Sequence, residues 1–198
     1  MSAAKSNISR HQKWHHRRLN IKRIFTSSIG AMLGIGTVAY VSTIIGVNFI
    51  MPPLGATCFI AFVIPDSAFA QPRNIIGGHV IASLVGIICS YLFGQQWWAY
   101  ALGVGIAIAA MQLLRILHPP AAANPILIMS EWGLSLDILL APVLIGSSIL
   151  ALVAVIYNKF IIKHRYFRVV LLYVANFSES IRKNRVDESF LSYERNQT

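Results

Sequence analysis

The chain has 198 residues, 56% hydrophobic and only 12% charged, and the hydrophobic residues gather into runs too long for a soluble core of this size. Formal charge is +10, with seven Lys or Arg at or before Arg23, eight at or after Lys159, and only Arg73 and Arg115 between. A soluble globular domain is excluded, and the chain reads as an all-α membrane protein whose basic flanks hold both termini in the cytoplasm rather than bind nucleic acid.

Residues 1–23 form a basic N-terminal tail. His11, His15 and His16 have a spacing that suits a metal on a helix, but the reading preferred is a solvated tail, with no metal or cofactor. The stretch faintly resembles an organelle transit peptide without a cleavage-like site, so a bacterial inner membrane is expected rather than a plastid envelope.

The first apolar run, Phe25 to Ile50, reaches the roughly 20 residues that cross about 30 Å of hydrocarbon. Its Gly30, Gly34 and Gly36 give a small face for a neighbouring helix. Pro52 and Pro53 end it, because proline lacks an N–H and disfavours the helical conformation in the residue before it. Gly55 belongs to the same break, and Leu54 to Ile64 is too short to span and is expected to be a half-helix or re-entrant piece with Thr57 as N-cap. A polar loop, PDSAFAQPRN, leads to the second run, Ile75 to Phe93, which carries His79 and in which Gly77, Ser83 and Gly86 again mark packing surfaces. Arg73 and His79 either share a vestibule, with Asp66 as the arginine's partner, or Arg73 holds local carbonyls; the sequence leaves both open.

Gln95 to Trp98 make a tight connection with tryptophans at an interface. The third run, Trp97 to Leu117, holds Arg115 and ends at His118, before Pro119 and Pro120. Asn124 and Pro125 then suggest an N-cap and a first-turn proline. The loop EWGLSLD leads to the fourth run, Ile138 to Ile162, and residues 164–198 form an amphipathic, then polar, cytoplasmic tail.

Pro52 and Pro119 stand 67 positions apart, and the same shift aligns the apolar runs before them and the runs after them. Residues 24–163 therefore read as a transmembrane domain of four helices built as two tandem repeats, about 24–93 and 94–162, each with a Pro-Pro break. Two crossings per repeat give both halves the same orientation. If the short segments crossed as well, the halves would be inverted, and the charge on the connections is not expected to separate these cases.

Arg inside a span costs about 2.5 to 3.5 kcal/mol and usually faces the bundle interior, although near an interface it also snorkels. At helical spacing Arg115 and His118 share a face pointing at the second break. Half-helix N-termini at Thr57 and Asn124 would offer backbone N–H groups and the positive end of a dipole to an anion beside Arg115. Arg73, His79 and Asn48, four positions before Pro52, complete the candidate substrate-binding set. Prolines that merely kink helices are the structural alternative. Neither paired carboxylates nor a nucleophile constellation nor a phosphate loop occurs, so an enzyme is not expected.

Through MPPLGAT, PDSAFAQPRN, IIGGH and above all RILHPPAAAN, occurring in that order, the chain resembles the HPP family of small integral membrane proteins over roughly Lys22 to Lys163. Family members often carry Gly where this chain has Ala122. The resemblance implies four predicted helices and, from plastid and cyanobacterial members, transport of nitrite or a similar small inorganic anion. An aquaporin-like pore for a neutral solute is the first alternative. A non-transporting membrane scaffold or sensor with anionic lipid at its basic tails is the second. Four helices enclose little volume, which is compatible with a homo-oligomer.

Overall fold

A computed structural model of the chain describes residues 20–131 and 136–162, the side chains of 136–141 excepted. Most of the basic N-terminal tail, His11, His15 and His16 included, the middle of the EWGLSLD loop and the C-terminal tail lie outside the described residues. All regular structure within them is helical. Helix α1 spans Ile21–Ile45, α2 Pro52–Cys58 with a π-helical continuation Phe59–Val63, α3 Pro72–Phe93, α4 Trp97–Leu113, α5 Asn124–Ser130 and α6 Leu136–Phe160. Short 3-10 turns precede α3 (Ala68–Ala70) and α5 (Pro119–Ala123).

Among the described residues, three helices are long and apolar enough to cross a membrane: α1, α3 and the Pro142–Phe160 part of α6. Helix α4, with 17 residues, is shorter than the third run expected from hydropathy because it stops at Leu113. Ile116 N–H donates to Met111 O, and Arg115 N–H to Gln112 O, the paired bonds that close a helix around a left-handed residue. That residue is Arg115, at φ 55°, where a side chain costs roughly 1 kcal/mol.

The prolines start helices as well as ending them. Met51 (φ −132°, ψ 139°) and His118 (φ −141°, ψ 94°), 67 positions apart, are both extended, as the proline that follows each requires. The fixed φ of proline then suits a first helical turn whose N–H needs no partner. Hence α2 begins at Pro52 and not at Thr57, which lies a turn further in and caps nothing.

Bonds between element ends fix the direction of each segment. Arg23 Nη2 donates to Val63 O at 2.9 Å, so α2 ends on the face where α1 begins. Tyr157 Oη donates to Thr26 O at 2.8 Å, which brings the last turn of α6 to that face. Arg73 Nη2 donates to Arg115 O at 2.6 Å, so α4 ends where α3 starts. On the opposite face Gln95 Nε2 donates to Met129 O at 2.9 Å and to Ser130 O at 3.2 Å, joining the end of α5 to the α3–α4 connection. Helices α1, α3 and α5 thus run one way and α2, α4 and α6 the other. This differs from two halves of equal orientation, because each short segment carries the chain back through the molecule. Among the described residues, Lys22, Arg23, Arg73, Arg115 and Lys159 consequently belong to one face, and exposed Trp97 and Trp98 to the other.

Packing between residues 20–93 and residues 97–162 is reciprocal. Helix α1 packs on α6, α4 on α3, and α3 on α6. A Cβ on Gly146 of α6 would lie 2.8 Å from Phe49 O in the first break, and one on Gly78 of α3 would lie 2.7 Å from His118 Cβ and 3.3 Å from Ile116 O in the second. Each break is thus seated against a helix glycine, the first on α6 and the second on α3, where no side chain intervenes. The larger apolar core, including Val38, Phe49, Leu54, Phe62, Val143 and Leu150, lies among α1, α2 and α6.

Candidate functional site

Where α2 and the second break meet α3, five polar side chains are 0% exposed: Thr57, His79, Ser83, His118 and Asn124. Helix α3 supplies His79 and Ser83, one turn apart on one face, and α2 supplies Thr57. His118 is the extended residue before Pro119, and Asn124 opens α5. His79 is seven residues into α3, about 10 Å from the basic face at 1.5 Å per residue.

The five form one network. Thr57 Oγ1 lies 2.9 Å from His79 Nε2 and 2.9 Å from His118 Nε2, with Pro53 O at 3.1 Å. His79 Nδ1 is 3.2 Å from Asn124 Oδ1, and Asn124 Nδ2 donates to His79 O (3.1 Å) and Ser83 Oγ (2.8 Å). His118 Nδ1 donates to Phe69 O at 2.8 Å, tying the cluster to the turn before α3. The imidazole centroids are 5.0 Å apart, with ring planes at 59°. Polar side chains wholly buried among apolar helices carry a desolvation cost, which makes this network the candidate functional site.

Thr57 and Asn124 are also 67 positions apart, so the two short segments contribute equivalent positions and His79 bridges them. The N-caps expected there are absent. Thr57 bonds within and across α2, and Asn124 spends its side chain on α3, while Ala123 precedes α5 without a side-chain cap. Arg115 does not share a helical face with His118: the left-handed turn separates them, and Arg115 is exposed. Arg73 is exposed beside it and also bonds Asn74 Oδ1 at 3.2 Å, so it holds the two element ends together. Asn48 is exposed, its Oδ1 accepting from Ile50 N–H at 2.9 Å, and it belongs to the first break alone. Of the break residues, Pro53 and Pro120 are buried, whereas Pro52, Gly55 and Pro119 are exposed.

Sequence reading missed two further buried amides. Gln71, 5% exposed, has neither Nε2 nor Oε1 bonded among the described residues, and Asn158 donates to Ala61 O at 2.9 Å but leaves Oδ1 unpartnered. Ala70, beside Gln71, packs with Ile60 and Val155, which sets both amides in the basic-face half of the molecule. Unpaired buried polar atoms mark where a polar ligand or water would bond. A cleft of about 530 Å³ opens at the same face, lined by Lys22, Arg23, Thr26 and Asp66 among others. Among the described residues, no group of three metal-ligating side chains converges.

The family described as HPP, transmembrane region, matches residues 16–167. A transmembrane protein of Dictyostelium discoideum is 30% identical over 161 residues, covering 75% of this chain and 51% of the relative. A second transmembrane protein of that organism is 33% identical over 119 residues, 56% of this chain and 41% of the relative. The chain thus spans about half the length of the relatives it matches or less. No solved structure matches it.

Proposed function

From the premise that the chain belongs to the HPP family of transmembrane proteins, we propose that it is a non-enzymatic transporter or channel for a small inorganic anion, nitrite first among the candidates. The observation that carries this reading is the buried network at which the two short segments meet. Broken helices that bring polar groups together between the halves of a membrane protein are the usual setting of a solute site. We further infer two inverted repeats, α1 to α3 and α4 to α6, related by an axis in the membrane plane. Opposite helix directions, reciprocal packing of the breaks and the 67-residue shift support it. The gathering of the described Lys and Arg at one face supports a cytoplasmic location for that face in a bacterial inner membrane. A homo-oligomer and anionic lipid at the basic face are part of the same proposal.

In this reading the solute passes from the cationic cleft by Gln71 and Asn158 to the network of Thr57, His79, His118 and Asn124, and Arg73 and Arg115 shape the entrance rather than the site. One observation favours the neutral-solute pore as a second reading: the network contains no arginine or lysine.

The test is nitrite uptake into proteoliposomes, comparing wild type with Asn124→Leu and Arg115→Gln, each confirmed as folded. Saturable uptake lost in Asn124→Leu and largely kept in Arg115→Gln is expected. Absence of uptake above empty liposomes, under proton gradients of either sign, removes nitrite. Osmotic swelling with a neutral solute and no current would establish the pore instead.

A further inference from the structure

We propose that Thr57, His79 and His118 form a binding site for a single proton, shared along the line from His79 Nε2 through Thr57 Oγ1 to His118 Nε2. The proposal stands on a count of hydrogens and holds whether or not the chain moves a solute.

Phe69 O can only accept, so His118 Nδ1, 2.8 Å away, carries a hydrogen. Asn124 directs its Nδ2 to His79 O and Ser83 Oγ, which turns Oδ1 to His79 Nδ1 at 3.2 Å, and that nitrogen carries a hydrogen too. Two neutral rings protonated on Nδ1 both present Nε2 lone pairs to Thr57 Oγ1, each at 2.9 Å. The hydroxyl has one hydrogen and serves one ring. The other ring's lone pair then faces the lone pairs of the hydroxyl oxygen, and a turn of the hydroxyl toward Pro53 O leaves both rings unserved.

Rotating the Asn124 amide does not remove the conflict. His79 could then carry its hydrogen on Nε2, but Asn124 Oδ1 would take the position 3.1 Å from the His79 carbonyl, oxygen against oxygen. Every neutral arrangement therefore leaves at least one clash of acceptors. One added proton on either Nε2 resolves it: that ring donates to Thr57 Oγ1, the hydroxyl donates to the other ring, and both Nδ1 bonds remain. As Thr57 gives its hydrogen to one Nε2 it takes the proton from the other, so the charge crosses between the rings with no bond left unmade.

Few other ionisable groups lie on the elements around the network. Helix α2 adds only the buried thiol of Cys58, and the Pro119–Ala123 turn and α5 add none. Helix α3 adds Arg73 in its first turn, with Cys89 and Tyr91 far along it; the preceding loop adds Asp66, and the end of α4 adds Arg115. These three charged side chains are exposed at the basic face, while Tyr100 of α4 lies towards the opposite end. From α6, Tyr157 is bonded to Thr26 O and Lys159 is exposed. Burial works against the added charge, and the bonds it completes work for it.

The test is ¹⁵N NMR of histidine-labelled protein in lipid nanodiscs, with His11, His15, His16 and His164 replaced by Gln, titrated from about pH 8 to about pH 4. Uptake of one proton by the two rings together is expected, with both Nε2 signals moving at one midpoint. Thr57→Val should lower that midpoint by about one pH unit or more, a tenfold weaker proton affinity, and Thr57→Ser should restore it. Rings that titrate independently, Nε2 atoms that stay unprotonated throughout, or a midpoint unchanged in Thr57→Val would each overturn the proposal. The titration without a Thr57 substitution decides alone if Thr57→Val does not fold.

Discussion

Asn124 shows how a single residue takes its role from its surroundings. A helix-opening Asn before Pro reads locally as a cap, yet its side chain joins α5 to α3 through His79 and Ser83. Ser83 has the smaller part, since Asn124 Nδ2 keeps its bond to His79 O without it. Ser83→Ala is expected to cost about 1 kcal/mol in detergent unfolding, the net worth of one buried hydrogen bond. His118, Thr57 and Asn124 stood out in the sequence as polar groups close to the proline breaks and His79 as one within an apolar run, because such groups carry a solvation cost that needs a reason. Arg115 was misplaced because its left-handed conformation depends on how α4 ends, and Gln71 and Asn158 were passed over because their burial depends on which elements pack over them.

Among the elements, the short segments decide most. Helix α2 widens into a π turn at Phe59–Val63, and the carbonyls released there are taken by side chains from other helices, Asn158 on Ala61 O and Arg23 on Val63 O. Helix α5 comes against α3 so closely that a Cβ on Gly86 would lie 2.8 Å from Pro125 Cα. Backbone cannot rotate aside, so Gly86→Ala is expected to lower stability by about 1 to 3 kcal/mol. Gly36 of α1 meets nothing within 4 Å, and there Ala should raise stability by about 0.5 to 1 kcal/mol. Thermal unfolding of the two variants in one detergent compares them directly; equal effects would mean that this α3–α5 contact is not made in the folded protein. The sequence marked both glycines alike as small packing residues, since which of them a neighbour touches is a matter of distance.

The molecule as a whole turns on the direction of two short segments. With α2 returning the chain to the face where α1 begins, residue 68 and residue 96 belong to opposite faces. Ala68→Cys should react with a membrane-impermeant thiol reagent applied on the N-terminal side, and Gln96→Cys with reagent on the other side. Native Cys58 and Cys89 are buried and give little background. Two crossings per repeat predict the reverse pattern for both positions, so the experiment separates the inverted from the parallel arrangement. Charge carries the same information once the structure is known, because Arg73 and Arg115 then join Lys22, Arg23 and Lys159 at one face.

By itself the sequence determined that the chain is helical, embedded in lipid and twice interrupted at matching positions, because long apolar runs and Pro-Pro act through solvation and backbone chemistry that need no partner. It also confined the polar residues worth attention to a handful. Only the tertiary structure decided that α2 and α5 run back through the molecule, that Arg115 stays at the surface and that Thr57 stands between two histidines. Those outcomes rest on contacts between residues up to 131 positions apart, such as Tyr157 with Thr26, and local spacing holds no record of such contacts.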